Sequence, residues 1–290
     1  MYRATIWLIA MVAALPAVAA AKDREPELLA HVGKWQVDYD KEACHLLGKF
    51  GEGEDNVIAR FTRYQPGDHF DLTLFGKRFR GLNASFELKM AFGSGPAVKV
   101  DAMTGAAGKI PLITMSSLRV DGWQGKWTDA PPITPAQEAA IAEVTVSIPR
   151  RRPFRLDFGS LGKPLAAMRE CQANLVKFWG FDPEVQAGLS RAPTPTEQPA
   201  KWLRSSDFPM GSAMNGHNGI VQFRLDVDVE GKLSACHVLY RTEPDDFADL
   251  TCRALTKRVR FDPALDAAGK PVRSFYVNKV LWLAPGNNAD

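Results

Sequence analysis

The fold of the C-terminal third turns on the stretch "RLDVDVEGKLSACHV", Arg224–Val238. Asp226, Asp228, Glu230 and Gly231 have the look of the front half of a calcium-binding loop. Such a loop curls around its ion and closes with a bidentate acid at its twelfth position. Counted from Asp226, the twelfth residue is His237. Val221, Phe223, Leu225, Val227 and Val229 alternate with Gln222, Arg224, Asp226 and Asp228, the period-two pattern of a strand with one buried face. The β-branched residues in that pattern also favour an extended chain. The expectation is a strand with Asp226 and Asp228 facing solvent, followed by a hairpin turn at Glu230-Gly231, and no metal.

A second strand is followed by "EPDDFADLTCRALTKRVRF". Phe247, Leu250, Thr251, Ala254, Leu255 and Arg258 share one helical face, with Cys252 and Val259 on its flank. Asp245, Asp246 and Asp249 crowd the start and Lys257, Arg258 and Arg260 the end, as the helix dipole prefers. "FDPALDAAGKPV" makes a turn and "RSFYVNKVLWL" a last strand. The order is strand, strand, helix, strand. Cys236 shares a strand face with Val238 and Tyr240, where a packed helix would bring Cys252 to it.

Residues from about 31 to 183 read as mostly strand. "NVIARFTRY", the turn "QPGD" and "HFDLTLFG" form a hairpin, with Phe70, Leu72 and Leu74 on the buried face. "ASFELKMAF", "AVKVDAM", "PLITMSSL", "VTVSI" and "PFRLDF" supply further strands. Two helices interrupt. Thr134, Pro135 and Gln137 make a capping box at the start of "TPAQEAAIAEV". In "GSLGKPLAAMRECQANLVKFWG", Leu165, Met168, Gln172, Leu175 and Trp179 form a stripe with Cys171 beside it. The fold class is thus α+β: a mostly-β N-terminal domain closed by a helix (22–183), a proline-containing linker (184–206) and a small ββαβ domain (207–290).

Residues 1–21 carry Arg3, then an apolar run interrupted by Pro16 and ending in Ala17-Val18-Ala19-Ala20-Ala21. This is the pattern of a cleaved secretory signal, and the run is short for a membrane span, the alternative being a retained anchor. Export places the protein in the periplasm and gives Cys44, Cys171, Cys236 and Cys252 an oxidising compartment. Four cysteines allow three connectivities; the domain division favours Cys44–Cys171 and Cys236–Cys252. The net charge of +3 lacks the strongly basic footprint that nucleic acid requires.

The run from Phe208-Pro209 through "NGIVQFRLDVDVEGKLSACHV", "FADLTCRALTKRVRFDPA" and "GKPV" resembles the C-terminal domain of the TonB energy-transducer family. The resemblance covers about residues 198–284, and the Cys236/Cys252 pair is similar to that of a disulfide-bearing, exported variety of this domain from Gram-negative bacteria. It implies binding to another protein of the cell envelope, an outer-membrane receptor above all, by addition of a strand beside the last strand. The residues implied are Arg273, Phe275, Val277, Lys279 and Leu281, on a strand with a buried face and an open edge. A homodimer through that strand is a second partner the edge allows. The chain departs from the family in its N-terminal hydrophobic segment, which lacks histidine, and in its short spacer, so docking rather than force transduction is implied.

An enzyme is the rival class. No HExxH, GxSxG or GxxxxGK motif is present, and no cofactor is expected. "GDHFD", Gly67–Asp71, offers an Asp-His-Asp set, yet it sits at a turn where a solvated histidine is the plainer reading. A third reading is envelope lipid or glycan binding through the N-terminal domain. Its residues are the arginines of "PRRRPFR", Pro149–Arg155, read more plainly as a solvated loop, and Trp123 and Trp127, read as folding back on the core.

Overall fold

The computed structural model describes residues 25–125, 129–242 and 246–284. The expected signal segment, together with Trp127 and Asp245, lies outside the described residues. The chain is mixed α+β and mostly strand, as expected.

The alternating segments of the N-terminal half close into a barrel of nine strands: β1 (Glu27–Tyr39), β2 (Cys44–Phe50), β3 (Val57–Arg63), β4 (Phe70–Phe75), β5 (Ser85–Phe92), β6 (Val98–Ala107), β7 (Ile110–Leu118), β8 (Glu143–Ser147) and β9 (Phe154–Asp157). The order is β1-β2-β3-β4-β7-β6-β5-β8-β9, and β9 returns parallel to β1, pairing Glu27–Ala30 with Phe154–Asp157. The alternating apolar residues point inward and fill it: Phe50, Phe61, Leu72, Met90 and Met115 are fully buried. β1 slips register between Val32 and Gln36, and Trp35 packs there over Gly48, where a Cβ would lie 2.7 Å from its ring.

Helix α1 (Pro135–Ala140) starts at the expected capping box, with Thr134 accepting from the Gln137 N–H and Gln137 accepting from the Thr134 N–H. Helix α2 (Gly162–Phe178) lies on β1 and β2 with Leu165, Met168, Gln172 and Leu175 buried. The Cys44–Cys171 disulfide joins it to β2.

After α3 (Pro183–Ala187), residues 188–206 run along the C-terminal unit. Strand β10 (Thr194–Pro195) pairs there, Arg191 bridges Leu265, and Trp202 is buried against Phe261 and Tyr276. Then follow α4 (Met210–Met214), β11 (Gly219–Val227), β12 (Leu233–Arg241), α5 (Asp246–Arg258), the short β13 (Phe261–Asp262), β14 (Ala264–Leu265) and β15 (Pro271–Val272), and β16 (Ser274–Trp282). β13 is the partner of β10. The main sheet has the order β12-β11-β16 and carries α5 on one face. The Cys236–Cys252 bond joins β12 to α5. Both disulfides are the pairs that the domain division favours, and such bonds belong to a chain that folds in an oxidising environment.

The opening stretch is strand and turn, as expected, but β11 ends at Val227, and Val229, read as part of the buried face, is exposed. Asp228 Oδ1 accepts the N–H groups of Glu230 and Lys232, and Gly231 takes φ +77°. The expectation of a solvated face fails at Asp226. Gln222, Arg224 and Asp226 are 8%, 4% and 8% exposed, because that face packs on the barrel unit. Arg224 lies 4.4 Å over the Trp179 ring and pairs with Asp226 at 2.7 Å, and Asp226 also meets His237 at 3.1 Å. A bulge at Leu239 moves Tyr240 opposite Gln222, so Tyr240 leaves the face that Cys236 and Val238 share.

Candidate docking cleft

Of the five residues named from the sequence, Phe275, Val277, Lys279 and Leu281 lie in a row on the face of β16 that meets the barrel unit, and Arg273 immediately precedes the strand. Arg273 sits over the Phe181 ring at 5.5 Å, and Phe275 stands edge-on to Trp179 and Phe181, 5.2 Å from each. Val277 is 4% exposed and joins the barrel's apolar core. Lys279 donates to Ser117 Oγ at 3.4 Å and lies 3.9 Å from Asp71. Leu281 is 53% exposed.

Their main chain points the other way from the sheet. Ile220 accepts from the Thr242 N–H and donates its own N–H to Thr242 Oγ1, so its polar groups face β12. Successive residues of an antiparallel strand turn to alternate sides. Val221, Phe223 and Leu225 therefore face β16, opposite Val280, Asn278 and Tyr276. It follows that the N–H and C=O groups of Arg273, Phe275, Val277, Lys279 and Leu281 point away from β11. Gln186 of α3 caps the Arg273 carbonyl at 2.9 Å. Asn278 Oδ1 accepts the Lys279 N–H at 2.8 Å. Among the described residues no strand pairs with this side of β16.

That edge, with Ile220 and Gln222 on the barrel-side face of β11, opens on a cleft of about 1070 Å³ between the sheet and the barrel. Val277, Asn278, Lys279, Val280 and Leu281 all line it, five residues in succession. A strand seen face-on presents alternate residues, so a continuous run marks its edge. The opposite side is the outer wall of the barrel with the loops 64–69 and 119–125.

Three sequence candidates converge here. In Gly67–Asp71, both carboxylates are engaged by the fold. Asp68 accepts the Ile133 N–H at 3.0 Å and faces buried Arg119, and Asp71 accepts the Ser117 N–H at 2.8 Å. His69 is partly buried rather than fully solvated; desolvation and the Arg119 charge hold its imidazole below the ordinary value. Ser117 has φ +59° in a bulge that sets Ser116 and Ser117 opposite Asp71, a strained position fixed by that carboxylate. Trp123 does not fold onto the core as expected. It is 36% exposed and its ring lies over Gly125, where a Cβ would meet it at 2.6 Å. The loop is braced by Asp121, which accepts from Arg119 and from the Trp123 N–H. Burial would raise the Asp121 carboxyl, but those hydrogen bonds and the Arg119 charge together bring it below its ordinary value.

Asn278, Ser117 and Met103 complete the cleft and were missed in the sequence. The one signal for Ser117 was "MSSL", where the alternation of β7 breaks.

The arginine-rich turn lies elsewhere, and the fold uses most of its charges. Arg151 donates to the carbonyls of Arg78 and Arg80, Arg152 to that of Glu25, and Arg155 pairs with Glu143. Among the described residues no cluster of His, Cys, Asp and Glu is placed to hold a metal. No protein-family model, curated protein or solved structure matches this chain.

Proposed function

We propose that this is an exported, periplasmic protein-binding module of the cell envelope. It takes up a segment of a partner protein as an added strand on β16, without transducing force. The observation that carries the reading is the edge of Val277 and Leu281, turned away from β11 and into a cleft of about 1070 Å³. Main-chain groups in such a row are a template for β-augmentation. The resemblance of about residues 198–284 to the TonB C-terminal domain agrees with it, as does the β11-β12-α5-β16 order, and two disulfides agree with export. An outer-membrane receptor is the partner this reading favours.

The test is photocrosslinking in the native cell envelope with a photoreactive residue at Leu281, and a control at Ile110, which is equally exposed but outside the cleft. Adducts with an envelope protein from position 281 alone are expected. Equal adducts from both positions, or none from 281, would refute docking at this edge.

A further inference from the structure

We propose that the barrel is the second jaw of this site: one extended segment of a partner polypeptide lies between the edge of β16 and the barrel's outer wall, and the barrel reads its side chains. The inference rests on strand addition at β16 and adds the surface that selects the occupant.

The size of the cleft sets the kind of occupant. A strand takes about 4.8 Å by about 10 Å in cross-section and rises about 3.3 Å per residue. The cleft of about 1070 Å³ has the volume of about six or seven residues of one strand. A second copy of this chain would bring β16 with β11, β12 and α5 attached, far more than a volume of about 1070 Å³ takes in. A flexible segment carries nothing behind it and fits.

The barrel side has the features of a reading surface. Ala102 points into the barrel and is 1% exposed, which turns its neighbour Met103 outward into the cleft. Trp123, 36% exposed, lines the cleft from a loop fixed by the Arg119–Asp121 pair and shaped by Gly125. An adaptable thioether and a held aromatic surface suit an apolar side chain, best of all a ring. On β16, a segment added at the edge meets the outward N–H and C=O groups of Val277 and Leu281. Lys279 adds its carbonyl alone, because Asn278 Oδ1 holds its N–H. The partner segment is thus extended, with an apolar residue facing Met103 and Trp123.

The test is a random heptapeptide library displayed on phage and panned on the full disulfide-bonded chain. The selected peptide is then titrated on wild type, Trp123→Ala, Met103→Ala and Ile110→Ala, and an N-methyl scan of the peptide maps its main-chain bonds. A selected peptide should lose affinity on N-methylation at alternate positions. It should weaken about tenfold on Trp123→Ala, and stay unchanged on Ile110→Ala. Alternate-position loss with no effect of Trp123→Ala or Met103→Ala would leave strand addition standing and overturn the barrel jaw. Failure to select any peptide would overturn both, as would Trp123-dependent binding of chito-oligosaccharide in its place. A concentration-dependent dimer in sedimentation that the selected peptide dissociates would make a second copy the occupant and overturn the single-segment clamp.

Discussion

At the residue scale, two positions in the opening stretch behave in opposite ways. Gly231 combines φ +77° with a Cβ position 1.9 Å from the Phe261 carbonyl oxygen, so both conformation and space require glycine. Gly231→Ala should lower stability by at least about 2 kcal/mol, measured by urea unfolding; an unchanged midpoint would contradict the turn geometry. Glycine in that turn was legible, since an acidic-Gly pair after a strand announces a hairpin. The environment of Asp226 was not. Alternation assigns residues to two faces but does not say whether a remote element covers the second, and here Trp179, some fifty positions away, does so. Asp226→Ala leaves the buried Arg224 charge without its carboxylate and should cost about 3 kcal/mol. A loss below about 1 kcal/mol would mean that the pair is wetter than its geometry indicates.

At the element scale, local signals served well and remote ones did not. The capping box of α1, the stripe of α2 and the alternation of β4 and β5 are local, and each element begins where they place it, although α1 stops at Ala140 and Glu143-Val144, read as its end, open β8. Barrel closure rests on β1 meeting β9 in parallel, a pairing between distant segments that leaves no mark on either. Bulges at Ser116-Ser117 and Leu239 likewise follow from what the strands pack against. The disulfides fasten elements at different ranges, with sequence separations of 127 and 16. In the loop-closure picture, removing them costs about 5 and about 3 kcal/mol respectively. Replacing Cys44 and Cys171 with alanine should therefore lower the urea midpoint more than replacing Cys236 and Cys252; the reverse order would contradict this. The end of α5 is tied to the preceding segment by Arg258, whose guanidinium donates twice to Asp207. Those hydrogen bonds hold the Asp207 carboxyl at about 2, below its ordinary 3.8. A depressed carboxyl contributes stability in full above about pH 4, lost as pH falls through about 2. Asp207→Asn should be less stable at neutral pH and lose less between pH 4 and pH 2; parallel acid limbs in the two proteins would contradict the assignment.

At the scale of the whole molecule, the candidate site exists only where the two units meet. Arg224, Trp179, Phe275, Phe181 and Arg273 form one row of ring and guanidinium contacts that fastens the sheet to the barrel. With the sheet held there, Val277–Leu281 faces the barrel wall across the cleft. The strand was legible in the sequence, and so was the idea of its open edge, but the wall opposite was not. Met103, Ser117 and Trp123 belong to separate segments that only the closed barrel and its docking on the sheet bring to one place. The most direct measurement is amide hydrogen exchange across β16, resolved residue by residue by NMR in the disulfide-bonded protein without any partner. An open edge predicts alternation: slow exchange at Tyr276, Asn278 and Val280, which face β11, and fast exchange at Val277 and Leu281, which face the cleft. Uniform slow exchange from Tyr276 to Leu281 would show that the edge is already covered and would contradict docking by strand addition.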